Sequence, residues 1–450
     1  MTTSDLRSLD TAHVWHPFTP MLEQGREETP VIVAGEGFHL IDTDGRRYLD
    51  GVSSLWCNVH GHRVPEIDRA IRDQLDQVAH STLLGLANVP SIRFAAALVK
   101  RLPPGLTRVF YSDNGSTAVE AALKIAYQYY RQRASRPENR ELFVSFSGAY
   151  HGDTVGSVSV GGIDLFHSTY AGLLFRTIKA PSPAAYRLPP GFTRETYDAH
   201  CIAELERVFE SHRGQIAGFV IEPLVQGAAG ILVNPPGWLA RVRELTRKHD
   251  VLLIADEVAT GFGRTGTFLA CEQEQVIPDL LCLSKGISGG YLPLAATIAT
   301  DDVYGAFLDE PAAGKTFYHG HTYTGNPLAC AAALASLELF EQSRVLDNVR
   351  ETSALVARRL RELADHPHVG DIRQKGIMAG IELVRNKADQ SPFAPAERVG
   401  HRVVLAARAR GALLRPLGDV IVLMPAPAMP PPLVDELCTA TFAAINDVCK

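Results

Sequence analysis

Positive charge is scarce in this chain: 44 lysines and arginines stand against 50 aspartates and glutamates, a formal net charge of −6 with pI near 6.2. That balance argues against a surface built for nucleic acid or an anionic membrane. Long apolar runs are missing too. The most apolar helical stretch, residues 328–340, is interrupted by Ser336 and Glu338, so no membrane-spanning segment is expected. Residues 1–7 lack the apolar core of a secretory signal. The seven cysteines, at 57, 201, 271, 282, 330, 438 and 449, are odd in number and include no C-x-x-C pair. Reduced thiols in a cytoplasmic protein are the expectation. The histidine pairs His60/His62, His319/His321 and His366/His368 lack the cysteine or acidic company of a zinc site, and no metal is expected. Gly261-Phe-Gly-Arg-Thr-Gly266 is rich in glycine but has neither the order nor the strand–helix setting of a dinucleotide loop. Internal repeats and low-complexity tracts are absent.

What is present is a chain of 450 residues, too long for one simple core, so two domains are expected. Short β-type runs at 108–112, 142–146, 218–222, 251–256, 280–284 and 295–299 alternate with helical spacing at 117–133 and 236–249. Near-continuous apolar strands separated by helices predict an α/β protein with a mainly parallel, doubly wound sheet covered on both faces. The proline-rich segment 180–190 reads as an irregular surface excursion. The two ends have too few alternating units to form a sheet domain separately. Residues 1–60 and 336–450 are therefore assigned together to a small α+β domain flanking a large domain, 61–335.

Lys285 follows an apolar run, sits just past a strand end and precedes Gly286, Gly289 and Gly290. Asp256 ends the neighbouring run. A lysine amine to hold an aldehyde and a carboxylate to keep a pyridine nitrogen protonated are what pyridoxal 5′-phosphate (PLP) chemistry requires. Ser112-Asp-Asn-Gly-Ser-Thr117 lies between a strand and a helix, so Gly115, the Ser116 hydroxyl and the helix N-terminus suit a phosphate. Plain helix capping would use the same residue types. Tyr150-His-Gly-Asp153 follows another strand, where Tyr150 can stack on a ring and His151 or Asp153 can orient it; Val258 is suited to pack on the opposite ring face. Thr322, in His319-Gly-His-Thr-Tyr-Thr-Gly-Asn326, is a second phosphate candidate at a helix start.

The chain resembles the class III, fold type I, PLP-dependent aminotransferases. The resemblance rests on Leu252-Leu-Ile-Ala-Asp-Glu-Val-Ala-Thr-Gly-Phe-Gly-Arg-Thr-Gly266 followed by Ser284-Lys-Gly286. Within the class it is most similar to the biotin-pathway branch that converts 8-amino-7-oxononanoate to 7,8-diaminononanoate. The supporting motifs are His13-Val-Trp-His-Pro-Phe-Thr-Pro-Met21, Ser53-Ser-Leu-Trp56, Phe110-Tyr-Ser-Asp-Asn-Gly-Ser116, Tyr150-His-Gly-Asp153 and Arg415-Pro-Leu-Gly418. The resemblance implies Lys285 as the Schiff-base lysine, Asp256 as pyridinium partner and Tyr150 as stacking residue. It implies Gly115, Ser116 and a Thr322 from a second subunit at the phosphate, hence a homodimer. Trp56 and Gly320 are expected to line the substrate pocket, and Arg415 to grip a carboxylate, which its planar guanidinium does bidentately. Relatives using S-adenosylmethionine as amino donor carry tyrosines where this chain has Phe18 and Val422, and the segments at 289–295 and 317–325 look like the lysine-using branch. Ala259, in place of a glutamine, speaks against ornithine- or γ-aminobutyrate-type substrates. The alternatives are another class III ω-amino acid aminotransferase linked to pyruvate, or a non-catalytic protein on the same fold.

Overall fold

A computed structural model describes residues 1–133 and 138–450. Its centre is a seven-stranded sheet in the order Leu106–Ser112, Ala295–Thr300, Leu280–Leu283, Leu252–Asp256, Ile216–Ile221, Leu142–Phe146, Ile178–Ala180. Only Ala295–Thr300 runs antiparallel to its neighbours; the other pairings are parallel. All six expected strands form, within two residues of their expected ends. The edge strand Ile178–Ala180 was not anticipated: three residues at the margin of a proline-rich stretch carry too little periodicity to register.

The period of two decides which side chain faces which helix layer. Leu252, Ile254, Leu280 and Cys282 pack with the helix Gly115–Gln132, whereas Leu253, Ala255, Leu281 and Leu283 join the larger core on the other face. Both layers exclude water, so the strands read as unbroken apolar runs. Because the parallel strands all point the same way, Ser112, Phe146, Ile221, Asp256 and Leu283 end at one edge of the sheet. Ligands collect at that edge in open α/β sheets.

A third core lies apart, built on the antiparallel sheet Val369–Lys375, Met378–Leu383, Val420–Leu423, Arg415–Leu417 and the helices Val345–Leu360, Val399–Arg408 and Pro431–Val448. The N-terminal strands Ile32–Glu36, His39–Asp42 and Arg47–Asp50 form their own sheet, whose last strand pairs in parallel with Ala412–Leu413. We propose from this pairing that the two chain ends make one small domain. The second boundary then belongs after Pro327–Gln342, since position 335 falls within that continuous helix. Among the described residues no helix is long and apolar enough to cross a membrane.

Ile254 is fully buried two residues before Asp256. Ile254→Ala is expected to cost about 3 kcal/mol through lost burial and a residual cavity, read as a lower urea midpoint of the cofactor-loaded protein.

Candidate active site

A cavity of about 690 Å³ opens at the carboxyl edge of the central sheet, lined among others by Trp56, Gly115, Ser116, Tyr150, Asp256, Val258 and Lys285. Lys285 stands two residues past the strand Leu280–Leu283, in a left-handed conformation (φ +49°). Its side chain is half-buried, and its amine lies 5.0 Å from the centre of the Trp56 ring. Among the described residues it makes no hydrogen bond or ion pair. Burial pushes its pKa below the ordinary lysine range, with Asp256 and Glu222 opposing that shift.

Asp256 sits at the end of its strand, 4% exposed. One oxygen accepts the Val258 N–H at 3.0 Å and the other lies 2.8 Å from His151 Nδ1. The next residue, Glu257, has a different task. It is fully buried and accepts from the Ala270 and Cys271 N–H groups and the Thr260 hydroxyl, so it supports the loop that follows. One acid faces the cavity and its neighbour is consumed by structure.

The helix Gly115–Gln132 begins at Asn114, whose side chain accepts the Thr117 N–H while the Thr117 hydroxyl returns to the Asn114 N–H. The N–H groups of Gly115 and Ser116 precede these capped positions and, as first-turn donors, have no intrahelical partner. The Ser116 hydroxyl accepts the Asp153 N–H at 2.7 Å, which leaves its own proton free to donate. Two glycines permit this assembly. A Cβ at Gly115 would come within 2.7 Å of Val258 Cγ1, and one at Gly152 (φ +115°) within 1.8 Å of Ser116 Oγ.

Tyr150 turns its hydroxyl to Asp153 Oδ2 at 2.6 Å, and that bond together with burial holds the phenol pKa well above its usual range. Its ring lies parallel to His167 and edge-on to Phe166. Trp56 closes a turn, Ser53–Trp56, in which all four residues have left-handed φ, from +47° to +70°. Asp50 accepts the Ser54 N–H and hydroxyl, and the buried Arg264 donates to Ser53 Oγ, Asn58 O and Pro425 O, each at 2.9 Å.

Three expected site residues lie off this wall. Arg415 stands 5.9 Å from the Phe18 ring, which in turn meets Phe166 edge-on. Gly320 and Thr322 are exposed on a segment tied back by His321, 2.8 Å from Asp113. Thr322 is not at a helix start, since the cap of the next helix is Asn326. Val422 is buried in its sheet, directly opposite Arg415. Sequence reasoning missed Phe166, His167 and Glu222. Glu222 had a readable signal: like Asp256, it is an acid at the end of an apolar strand.

The residues present fit pyridoxal phosphate. A half-buried amine without a partner among the described residues shares the cavity wall with a carboxylate fixed at two points. The start of a long helix offers free donors beside an unspent hydroxyl proton, and glycines keep both approaches open.

Gly152→Ala tests the phosphate end. The added methyl must displace the Ser116 hydroxyl, so affinity for the cofactor should fall by about tenfold or more, the worth of one charge-assisted hydrogen bond. The measurement is titration of cofactor-free protein with PLP; unchanged affinity would remove Ser116 from the phosphate.

The model of the family "Aminotransferase class-III" matches residues 23–445. A protein of Nitratidesulfovibrio vulgaris named adenosylmethionine-8-amino-7-oxononanoate aminotransferase is 59% identical over 94% of this chain and 78% of its own length. One of the same name from Geobacter sulfurreducens is 54% identical over 99% and 98%. The crystal structure of the Methanocaldococcus jannaschii protein of that name superimposes with a TM-score of 0.93 at 43% identity, covering 99% of both chains. An (S)-enantioselective omega-transaminase from Thermomicrobium roseum gives the same score at 35% identity, covering 100% of this chain and 99% of its own. The chain belongs to the class III aminotransferases, PLP-dependent enzymes of fold type I.

Proposed function

We propose that the enzyme transaminates 8-amino-7-oxononanoate to 7,8-diaminononanoate. The observation that carries this reading is a half-buried lysine without a partner among the described residues, on the wall of the cavity, with a guanidinium, Arg415, standing off that wall beside Phe18. The keto substrate has a reacting carbonyl at one end and a carboxylate at the other, and these two groups match its ends. The names of the relatives point the same way.

When bound, pyridoxal phosphate supplies the aldehyde through which amines exchange and the electron sink for the deprotonated carbon. The chain does the rest. Lys285 would hold the aldehyde and serve as base and acid for the proton that moves, and its lowered pKa leaves a fraction neutral and ready to accept it. Asp256 would face the ring nitrogen, held in place by His151 and by the Val258 N–H. Gly115 and Ser116 anchor the phosphate, joined by Thr322 of a second copy. Tyr150 and Val258 confine the ring, Trp56 and Gly320 bound the substrate space, and Arg415 grips the carboxylate. A homodimer is part of this reading. Supporting it, Thr322 and Gly320 stand clear of their own chain's cavity, beside Tyr318 and Tyr323, which are 79% and 61% exposed, and a partner would cover such aromatics.

Two donors are carried by different observations. S-adenosylmethionine stands in the names of the relatives. Lysine is favoured by Phe18 and Val422, which offer no hydroxyl to a zwitterionic sulfonium compound.

The deciding experiment is a half-reaction. Holoenzyme mixed with lysine or with S-adenosylmethionine should lose its visible absorption with one of them, and 8-amino-7-oxononanoate should restore it. Lys285→Ala should show neither change. Restoration by pyruvate but not by the keto acid would favour a pyruvate-linked ω-amino acid aminotransferase and overturn the proposal. Arg415→Ala should raise KM for 8-amino-7-oxononanoate by about a hundredfold, since a bidentate charged contact is lost, with a smaller effect on kcat. Steady-state kinetics checks this.

A further inference from the structure

Glu222 has no part in the chemistry described so far. It follows the strand Ile216–Ile221, is 5% exposed and lines the cavity. Its two oxygens hold different walls. Oε2 accepts the Tyr150 N–H at 3.1 Å, and Oε1 accepts the Gly227 N–H at 2.9 Å. Gly227 is the seat of the indole. A Cβ built there would stand 3.1 Å from Trp56 Cζ3 and 3.7 Å from Glu222 Oε1, so ring and carboxylate flank the same residue. Trp56 Nε1 is buried without a partner, so no hydrogen bond of its own fixes the indole, and its position depends on what it packs against.

We propose that Glu222 is a positioning residue that sets the width of the substrate cleft, fixing the Tyr150 wall with one oxygen and the backbone seat of Trp56 with the other. The proposal rests on the reading above of Tyr150 beside the cofactor ring and Trp56 beside the substrate, both on the wall of one cavity. Among the described residues no other side chain hydrogen-bonds to both of these N–H groups. Only a carboxylate serves the two bonds equally, because a protonated acid carries a hydrogen on one oxygen and accepts there weakly.

The fastening is therefore sensitive to charge. The groups facing Glu222 are His151, Asp256 and Lys285. Burial raises the carboxyl to about 7, with His151 opposing and Asp256 adding to the shift. Above that value both bonds are made; below it one slackens, and the indole gains freedom. The cleft then fits its substrate best on the alkaline side of neutrality.

The test uses two readouts. In cofactor-free protein carrying Trp15→Phe, which removes an indole that is 86% exposed, acrylamide quenching reports on Trp56 above a constant contribution from the buried Trp238. Quenching should increase as pH falls from about 8 to about 6, across the range where the carboxyl takes up its proton. With Glu222→Gln it should be high and independent of pH. In holoenzyme, Glu222→Gln should raise KM for the keto acid about tenfold with kcat within about threefold, the loss of one charge-assisted bond that shapes binding alone. The acidic limb of kcat/KM should vanish with it. Glu222→Asp keeps the charge but is too short for both bonds, so it should raise KM while retaining a pH-dependent limb. Quenching that is flat with pH in the parent, or equally pH-dependent in Glu222→Gln, overturns the proposal. The quenching arm contains no substrate, so an error in the assigned reaction would leave it standing and show only in the kinetic arm.

Discussion

Everything about the site depends on a half-buried lysine amine on the cavity wall with no partner among the described residues. Burying a cation alone is costly, and the ordinary resolution is to lose the proton. Lys285 is placed where that resolution is useful: facing a cavity, within the field of Asp256 and Glu222, which keep its pKa from falling further. A nearby salt-bridge partner would have held the charge and made the amine inert. Instead Asp256 has its oxygens engaged by His151 and the Val258 N–H, and so remains close without closing on the lysine.

The same logic accounts for the distortion around Trp56. Four successive left-handed residues cost roughly 1–2 kcal/mol each, and no isolated tetrapeptide would adopt them. They persist because Asp50 grips the turn from below and Arg264 from the side, in a setting too tight for alternatives. Arg264 is the largest fully buried side chain in the structure, and all three of its partners are neutral oxygens. Desolvation accordingly lowers its pKa to about 10, still high enough for it to remain charged at neutral pH. A buried cation of this kind is a poor source of net stability, but removing it would leave three acceptors unsatisfied. What it provides is position: it joins the loop after Asp256, the N-terminal turn and the segment at 424–425.

Much of this was legible in the sequence because of the period of two and the chemistry of strand ends. Unbroken apolar runs located six strands of the central sheet, and the acid and the lysine at two run ends both line the cavity at its carboxyl edge. Motif resemblance then assigned roles that spacing alone left open, as for Tyr150 and Arg415. The unread parts have physical reasons. The left-handed turn at Ser53–Trp56 contains no glycine, so local propensity argues against it and only long-range contacts impose it. Phe166 and His167 reach Tyr150 through tertiary packing of a four-residue helix, too short for any periodic signal. The strand Arg415–Leu417 is equally short, and only its pairing with Val420–Leu423 defines it.

On the proposed reading, the distance between the two ends of the substrate is measured between two sheets. Lys285 and Asp256 belong to the central sheet, whereas Arg415 lies on the antiparallel sheet of the chain ends. A carboxylate grip on the central sheet would be set by strand spacing alone, a few ångströms at a time. Placing it on the second sheet lets the packing between the two units set a longer span, suited to a linear keto acid and poorly suited to a short one. The contacts that fix this span include Arg264 to Pro425, Ser53 Oγ to Met424 O, Met424 N–H to Gly51 O and Ala428 N–H to Val59 O. They join the C-terminal sheet to the turn that carries Trp56. The residue that lines the cleft and the residue that grips the far end of the substrate are thus held by one set of bonds, and chain-length selectivity follows from domain packing as well as from pocket-lining side chains.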